Sequence, residues 1–187
     1  MRKGGAATAF VLLLAGAAGA RLLPVPPAPA FVDASFHLVD SQGRSHVRQD
    51  FLGTPSLILF GYTSCPDVCP TGLGRMAETL ARLDADGNRP RALFITLDPE
   101  RDGAERIGDY LAAFDSRIQG LTGSPAEVAQ AAKAFRVYHA KVGGEDYRID
   151  HTAAIFLAGA DGRLLASFGP DDPPEAMATE IRRRLAS

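Results

Sequence analysis

The sequence predicts an α/β sandwich, a sheet with helices packed on its faces, and three observations carry that prediction. Residues 57–60, 92–97 and 153–158 are short apolar runs with the length and branching of buried strands. Between them lie stretches with helical spacing, first Leu73, Met76, Ala77, Leu80 and Leu83, then Ile107, Tyr110, Leu111 and Phe114. The order closes on a strand pair around the turn Gly159-Ala160-Asp161-Gly162 and a final helix.

Taken in order, residues 36–40 and 45–47 flank Ser41-Gln42-Gly43-Arg44 as an N-terminal hairpin. Strand 57–60, opened by Pro55, runs into Gly61-Tyr62-Thr63-Ser64-Cys65-Pro66-Asp67-Val68-Cys69-Pro70, a turn that hands over to the first helix. A loop at Asp84-Ala85-Asp86-Gly87-Asn88 leads to strand 92–97, which ends in Asp98-Pro99-Glu100-Arg101-Asp102 ahead of the second helix. A short strand at 118–121 precedes a helix opened by Ser124-Pro125, with Val128, Ala131, Ala132 and Phe135 on one face. Residues 137–142 alternate as an exposed strand does. Gly143-Gly144 turns them towards Tyr147-Arg148-Ile149-Asp150-His151, giving an inserted hairpin before a loop that carries His151. The pair 153–158 and 163–168 and a helix capped near Asp172 or Pro173 finish the chain. This order is that of a thioredoxin-like sandwich, whose ligand chemistry gathers at the C-terminal edge of its central strands.

The 187 residues suit one domain with an N-terminal extension. Arg2 and Lys3 precede an uncharged run over 4–20 that contains Phe10-Val11-Leu12-Leu13-Leu14. Residues 1–23 therefore read as a signal peptide cut after Ala18-Gly19-Ala20, or as a retained membrane anchor. In both cases the cations stay in the cytoplasm and the domain is exported, to a compartment where disulfides are permitted. Residues 24–33 form a stiff proline-rich linker, and 34–187 the folded domain. A formal charge of −2 excludes the concentrated basic face that nucleic acid needs. Arg182-Arg183-Arg184 lies near a helix end, where cations complement the dipole.

Cys65 and Cys69 are the two cysteines of the chain, four positions apart where a strand hands over to a helix. Backbone N–H groups and the dipole at a helix start favour thiolate over thiol. A bridge closing so short a loop constrains the unfolded chain little, so reactive or metal-binding sulfur is expected in preference to a staple. If the turn is helical, residues four apart share a face and bring both sulfurs towards one point. A metal calls for a further ligand. His151 stands just before the strand at 153–158, in a loop that the fold brings beside the cysteine turn.

Thioredoxin-like reductases carry a proline in that loop; this chain offers His151-Thr152. Two thiolates and an imidazole suit Cu(I), and can hold Cu(II) with an added oxygen ligand. Zinc in structural use prefers a fourth protein ligand. Asp150 is the candidate to orient the imidazole, while His37, His46 and His139 are expected at the surface. The same thiols also fit an enzyme that exchanges thiol and disulfide. The Thr-x-x-Cys arrangement of peroxide-reducing thiols is missing, since Thr63 is only two positions before Cys65.

The cysteine string from Gly61 to Pro70, the later Leu97-Asp98-Pro99-Glu100-Arg101-Asp102 and the Asp150-His151-Thr152 step resemble the SCO/SenC family. Its members are copper-binding, thioredoxin-like assembly factors for cytochrome c oxidase. The likeness runs from about residue 36 to residue 168. It implies that Cys65, Cys69 and His151 bind copper, with Cys65 and Cys69 also able to act as a redox disulfide pair. It implies as partner the oxidase subunit that carries the dinuclear copper site, with an upstream copper donor or thiol reductant behind it. The domain would sit on the periplasmic face of a bacterial inner membrane, or in the intermembrane space. Asp98 matches an acidic residue that the family associates with partner contact. The alternative function is a reductase that keeps the copper-ligand cysteines of the oxidase subunit reduced.

Overall fold

A computed structural model describes residues 36–84, 87 and 90–186. The export segment expected at 1–23 and the linker at 24–33 lie outside the described residues. The chain begins with β1 (His37–Asp40), β2 (Ser45–Val47), a 3-10 turn (Arg48–Phe51), β3 (Ser56–Gly61) and α1 (Val68–Asp84). It continues through β4 (Arg91–Thr96), α2 (Ala104–Leu111), β5 (Ile118–Thr122) and α3 (Pro125–Ala134). The last part is β6 (His139–Val142), β7 (Arg148–His151), β8 (Ile155–Ala158), β9 (Leu164–Phe168) and α4 (Pro174–Leu185).

Among the described residues the main sheet has seven strands in the order β2-β1-β5-β4-β3-β8-β9. Strands β3, β4 and β5 are parallel, β8 runs antiparallel to β3, and β1 antiparallel to β5. Because β3 is covered on both faces, all six of its residues are buried, and its sequence reads as a continuous apolar run in place of an alternation. Side chains on a strand still alternate. Leu57 and Leu59 meet Leu73 and Met76 of α1, in a core shared with Ile107 of α2 and Met177 and Ile181 of α4. Ile58 and Phe60 meet the opposite core, built with Val128, Ala131 and Phe135 around α3 and Ile149 of β7. The helices therefore lie on both faces, as the element order predicts. Helix α3 starts where expected: Ser124 and Glu127 cap each other's backbone N–H, and Pro125 occupies the first turn.

Two local expectations are corrected. His151 is not in a loop but is the last residue of β7, opposite His139 in a two-stranded sheet of β6 and β7 separate from the main one. The hairpin outlasts the expected boundary because pairing persists through residue 151. His46 is not at the surface. Its Nε2 lies 2.9 Å from Oδ2 of the fully buried Asp40, and its side chain is 18% exposed. Burial alone would raise the Asp40 carboxyl, but hydrogen bonds from His46 and Arg44 hold it well below the usual carboxylate range. No helix among the described residues is long and apolar enough to cross a membrane.

Candidate metal centre

Sheet topology explains why residues far apart in sequence meet. Strand β3 ends at Gly61, and its antiparallel neighbour β8 starts at the same edge, with Leu59 opposite Ile155. The chain leaving β3 and the chain entering β8 therefore emerge side by side. Cys65 lies in the turn after β3, Cys69 is the second residue of α1, and His151 ends β7 just ahead of β8. One ligand atom from each of these three falls within 4.8 Å of the other two, and this is the metal-capable cluster among the described residues. Cys69 Sγ is 3.6 Å from His151 Nε2. Both cysteines are reduced and buried, and the histidine is half-buried. The Tyr62 ring meets the imidazole edge-on at 6.0 Å between centroids.

The two sulfurs are electrostatically unlike. The hydrogen bond with Cys69 is the largest influence on Cys65; together with His151 and the backbone at Asp67 and Cys69 it outweighs burial and brings the Cys65 thiol down to about 4. The backbone contribution comes from the start of α1, as the sequence suggested. Cys69 moves the other way, pushed up first by its hydrogen bond with Cys65 and then by burial. The pair is therefore unequal: the Cys65 sulfur favours the thiolate and the Cys69 sulfur the thiol.

His151 is oriented by a neighbour that the sequence did not single out. Its Nδ1 lies 3.0 Å from the Thr152 carbonyl oxygen. A carbonyl only accepts, so Nδ1 donates to it, and Nε2 is the ring nitrogen turned towards the sulfurs. Asp150, the expected orienting acid, is exposed and pairs with Arg148 at 3.1 Å. On a strand, adjacent residues face opposite ways, so 150 and 151 diverge.

Further residues fix the cysteine turn. The fully buried Asp102 accepts hydrogen bonds from Thr63 N at 2.9 Å, Thr63 Oγ1 at 2.6 Å and Thr96 Oγ1 at 2.7 Å. Arg106 covers the turn from outside, donating to Thr63 Oγ1 at 2.8 Å and to Ser64 Oγ at 3.0 Å. At Gly61 a Cβ would stand 2.7 Å from Cys69 Sγ, so glycine is required for the sulfur to lie against the end of β3. Asp98 is fully buried and turns inward, accepting from the Arg101 guanidinium and from the Tyr147 hydroxyl at 2.7 Å.

Comparison with known proteins gives the family. The family model described as SCO1/SenC matches residues 25–186. The human protein named SCO2 homolog, mitochondrial, is 39% identical over 157 residues, which cover 81% of this chain and 59% of that protein. This chain thus spans about three fifths of that relative's length. Among solved structures, copper-bound ScoI of Bradyrhizobium japonicum is 42% identical with a TM-score of 0.74, over 81% of this chain and 98% of that one. Copper-bound yeast Sco1 is 32% identical with a TM-score of 0.77, over 86% of this chain and 90% of that one. With the thioredoxin-like sandwich, the cysteine turn and the imidazole all in place, the chain belongs to the SCO1/SenC family.

Proposed function

We propose that this chain captures copper with Cys65, Cys69 and His151 and delivers it to the dinuclear copper site of a cytochrome c oxidase subunit. The observation that carries the reading is the convergence of two sulfurs and one imidazole nitrogen within 4.8 Å. Two soft thiolates with one imidazole form a donor set suited to copper. The copper-bound structures of similar proteins from Bradyrhizobium japonicum and yeast support the same cargo.

Capture begins at Cys65, which is already a thiolate at neutral pH. Cys69 must release its proton to bind, so affinity falls as the solution is acidified. His151 adds Nε2, presented by the bond of Nδ1 to Thr152. Three donors leave the ion short of a closed shell, so a recipient's cysteine or histidine can bind before this chain's ligands depart. Residues 1–23 would bring the domain to the periplasmic face of the inner membrane, where it is either held as an anchored domain on the linker 24–33 or released by cleavage. Within this scheme Asp98 bears on partner contact through the Arg101 and Tyr147 side chains that it holds, since its own carboxylate is enclosed.

The unequal thiols also favour a second reading, in which Cys65 attacks a disulfide of the oxidase subunit and Cys69 resolves the mixed disulfide. An upstream thiol reductant would then restore the pair. The two readings separate on His151. Copper transfer from the loaded full chain to a reduced recipient fragment, and reduction of the same fragment when oxidised, are compared for wild type and His151→Ala. Delivery predicts that transfer fails in His151→Ala while dithiol exchange persists; a wild-type chain that reduces the oxidised fragment but passes no copper to the reduced one points to the reductase.

A further inference from the structure

Beside the metal centre lies a groove of about 190 Å³ between the first turns of α1 and the ends of β8 and β9. Cys69 and His151 line it, together with the apolar side chains of Leu59, Val68, Ile155 and Phe168. Val68 is 43% exposed, one of two large hydrophobic residues so exposed among the described residues. The lining holds one acid, the exposed Asp67, and one cation, Arg75. Arg75 donates through Nη1 to the Gly169 carbonyl at 3.3 Å, but its Nε is buried and has no hydrogen-bond partner. Among the described residues no carboxylate pairs with this guanidinium.

A buried donor on a charged group is stable only when an acceptor reaches it. The groove is smaller than the roughly 300 Å³ at which small-molecule sites begin, and has room for one or two side chains. Copper leaving Cys69 and His151 must pass to ligands that come within bonding distance of both. Whatever chain carries those ligands therefore lies across this groove. We propose that the groove docks an extended segment of the copper recipient, with an apolar side chain against Leu59, Ile155 and Phe168 and a carboxylate on Arg75. The proposal rests on the copper-delivery reading and adds a partner chemistry to it.

The test uses the copper-loaded full chain and the labelled peptide Gly-Leu-Glu-Cys-Gly-Gly, alongside versions with Gln or Lys in place of Glu. A further version has Ser in place of Cys, which separates docking from metal exchange. The Glu peptide is expected to bind about tenfold more tightly than the Lys peptide, with or without its cysteine. The preference disappears in Arg75→Gln and reverses in Arg75→Glu. Equal binding of the Glu, Gln and Lys peptides to the wild-type chain overturns the proposal, whether or not the Arg75 variants fold. An unchanged preference in both folded variants overturns it too. Copper content is measured in every sample. A wild-type chain that holds no copper refutes the delivery reading itself, whereas a loaded chain indifferent to peptide charge refutes only the groove.

Discussion

At the candidate metal centre the two thiols are unequal. Cys65, brought from an ordinary 9.0 down to about 4, is a thiolate over the whole neutral range. Its folded value lies below its unfolded one, so the shift stabilises the fold fully above the ordinary thiol range, and that contribution is lost as pH falls through about 4. Ultraviolet thiolate absorbance of the reduced chain is accordingly expected to survive mild acidification and to vanish near pH 4. Because Cys69 is the largest influence, Cys69→Ala should move this transition up towards the ordinary thiol range. A transition left in place would show that the backbone at the start of α1 suffices. The three candidate donors were legible in the sequence because two cysteines four positions apart and a histidine beside a strong strand are distinctive residue types. Asp102 was visible in the sequence only as part of a motif, since its partner Thr63 is 39 positions away and buried acids leave no periodic trace. The Thr152 carbonyl was invisible for a simpler reason: every residue except its geometry offers the same group.

Among the elements, the hairpin of β6 and β7 is the one on which the position of His151 depends. It makes no ladder with the main sheet, so side chains must hold it. Tyr147, Ile149 and His151 alternate onto one face of the strand. The Tyr147 hydroxyl donates to Asp98, and the Arg101 guanidinium stands 3.9 Å from the centroid of the Tyr147 ring while donating to its carbonyl at 3.0 Å. Ile149 is buried in the same core cluster as Tyr62. His151 then reaches Cys69. Tyr147→Phe keeps the ring over Arg101 but leaves the Asp98 carboxylate one donor short, which should cost about 1.5 kcal/mol in denaturant unfolding. Hydrogen exchange should speed up at the amides of β7 while those of β3 stay protected. Equal exchange in both strands would mean that the hairpin is not held this way. The sequence indicated the hairpin through Gly143-Gly144 and the alternation around it. It gave no hint of the docking, because Arg101 and Tyr147 are 46 positions apart.

For the molecule as a whole, the sheet brings the ends of β3 and the start of β8 to one edge, and from that placement the metal centre follows. The order of strands and helices was readable from periodicity and turn residues, and the continuous apolar run of β3 already marked it as central. Strand adjacency was not readable, since β3 pairs with β8 across almost a hundred residues and no local pattern encodes that contact. The separation of β6 and β7 from the main sheet was hidden for the same reason. The account therefore stands on long-range convergence, which copper itself can report. Copper is titrated into the reduced full chain against a competing chelator, for wild type and for His151→Ala. One ion per wild-type chain is expected, held at least about tenfold more weakly without the imidazole. The same stoichiometry and the same affinity in both proteins would contradict a site built by two sulfurs and this nitrogen together.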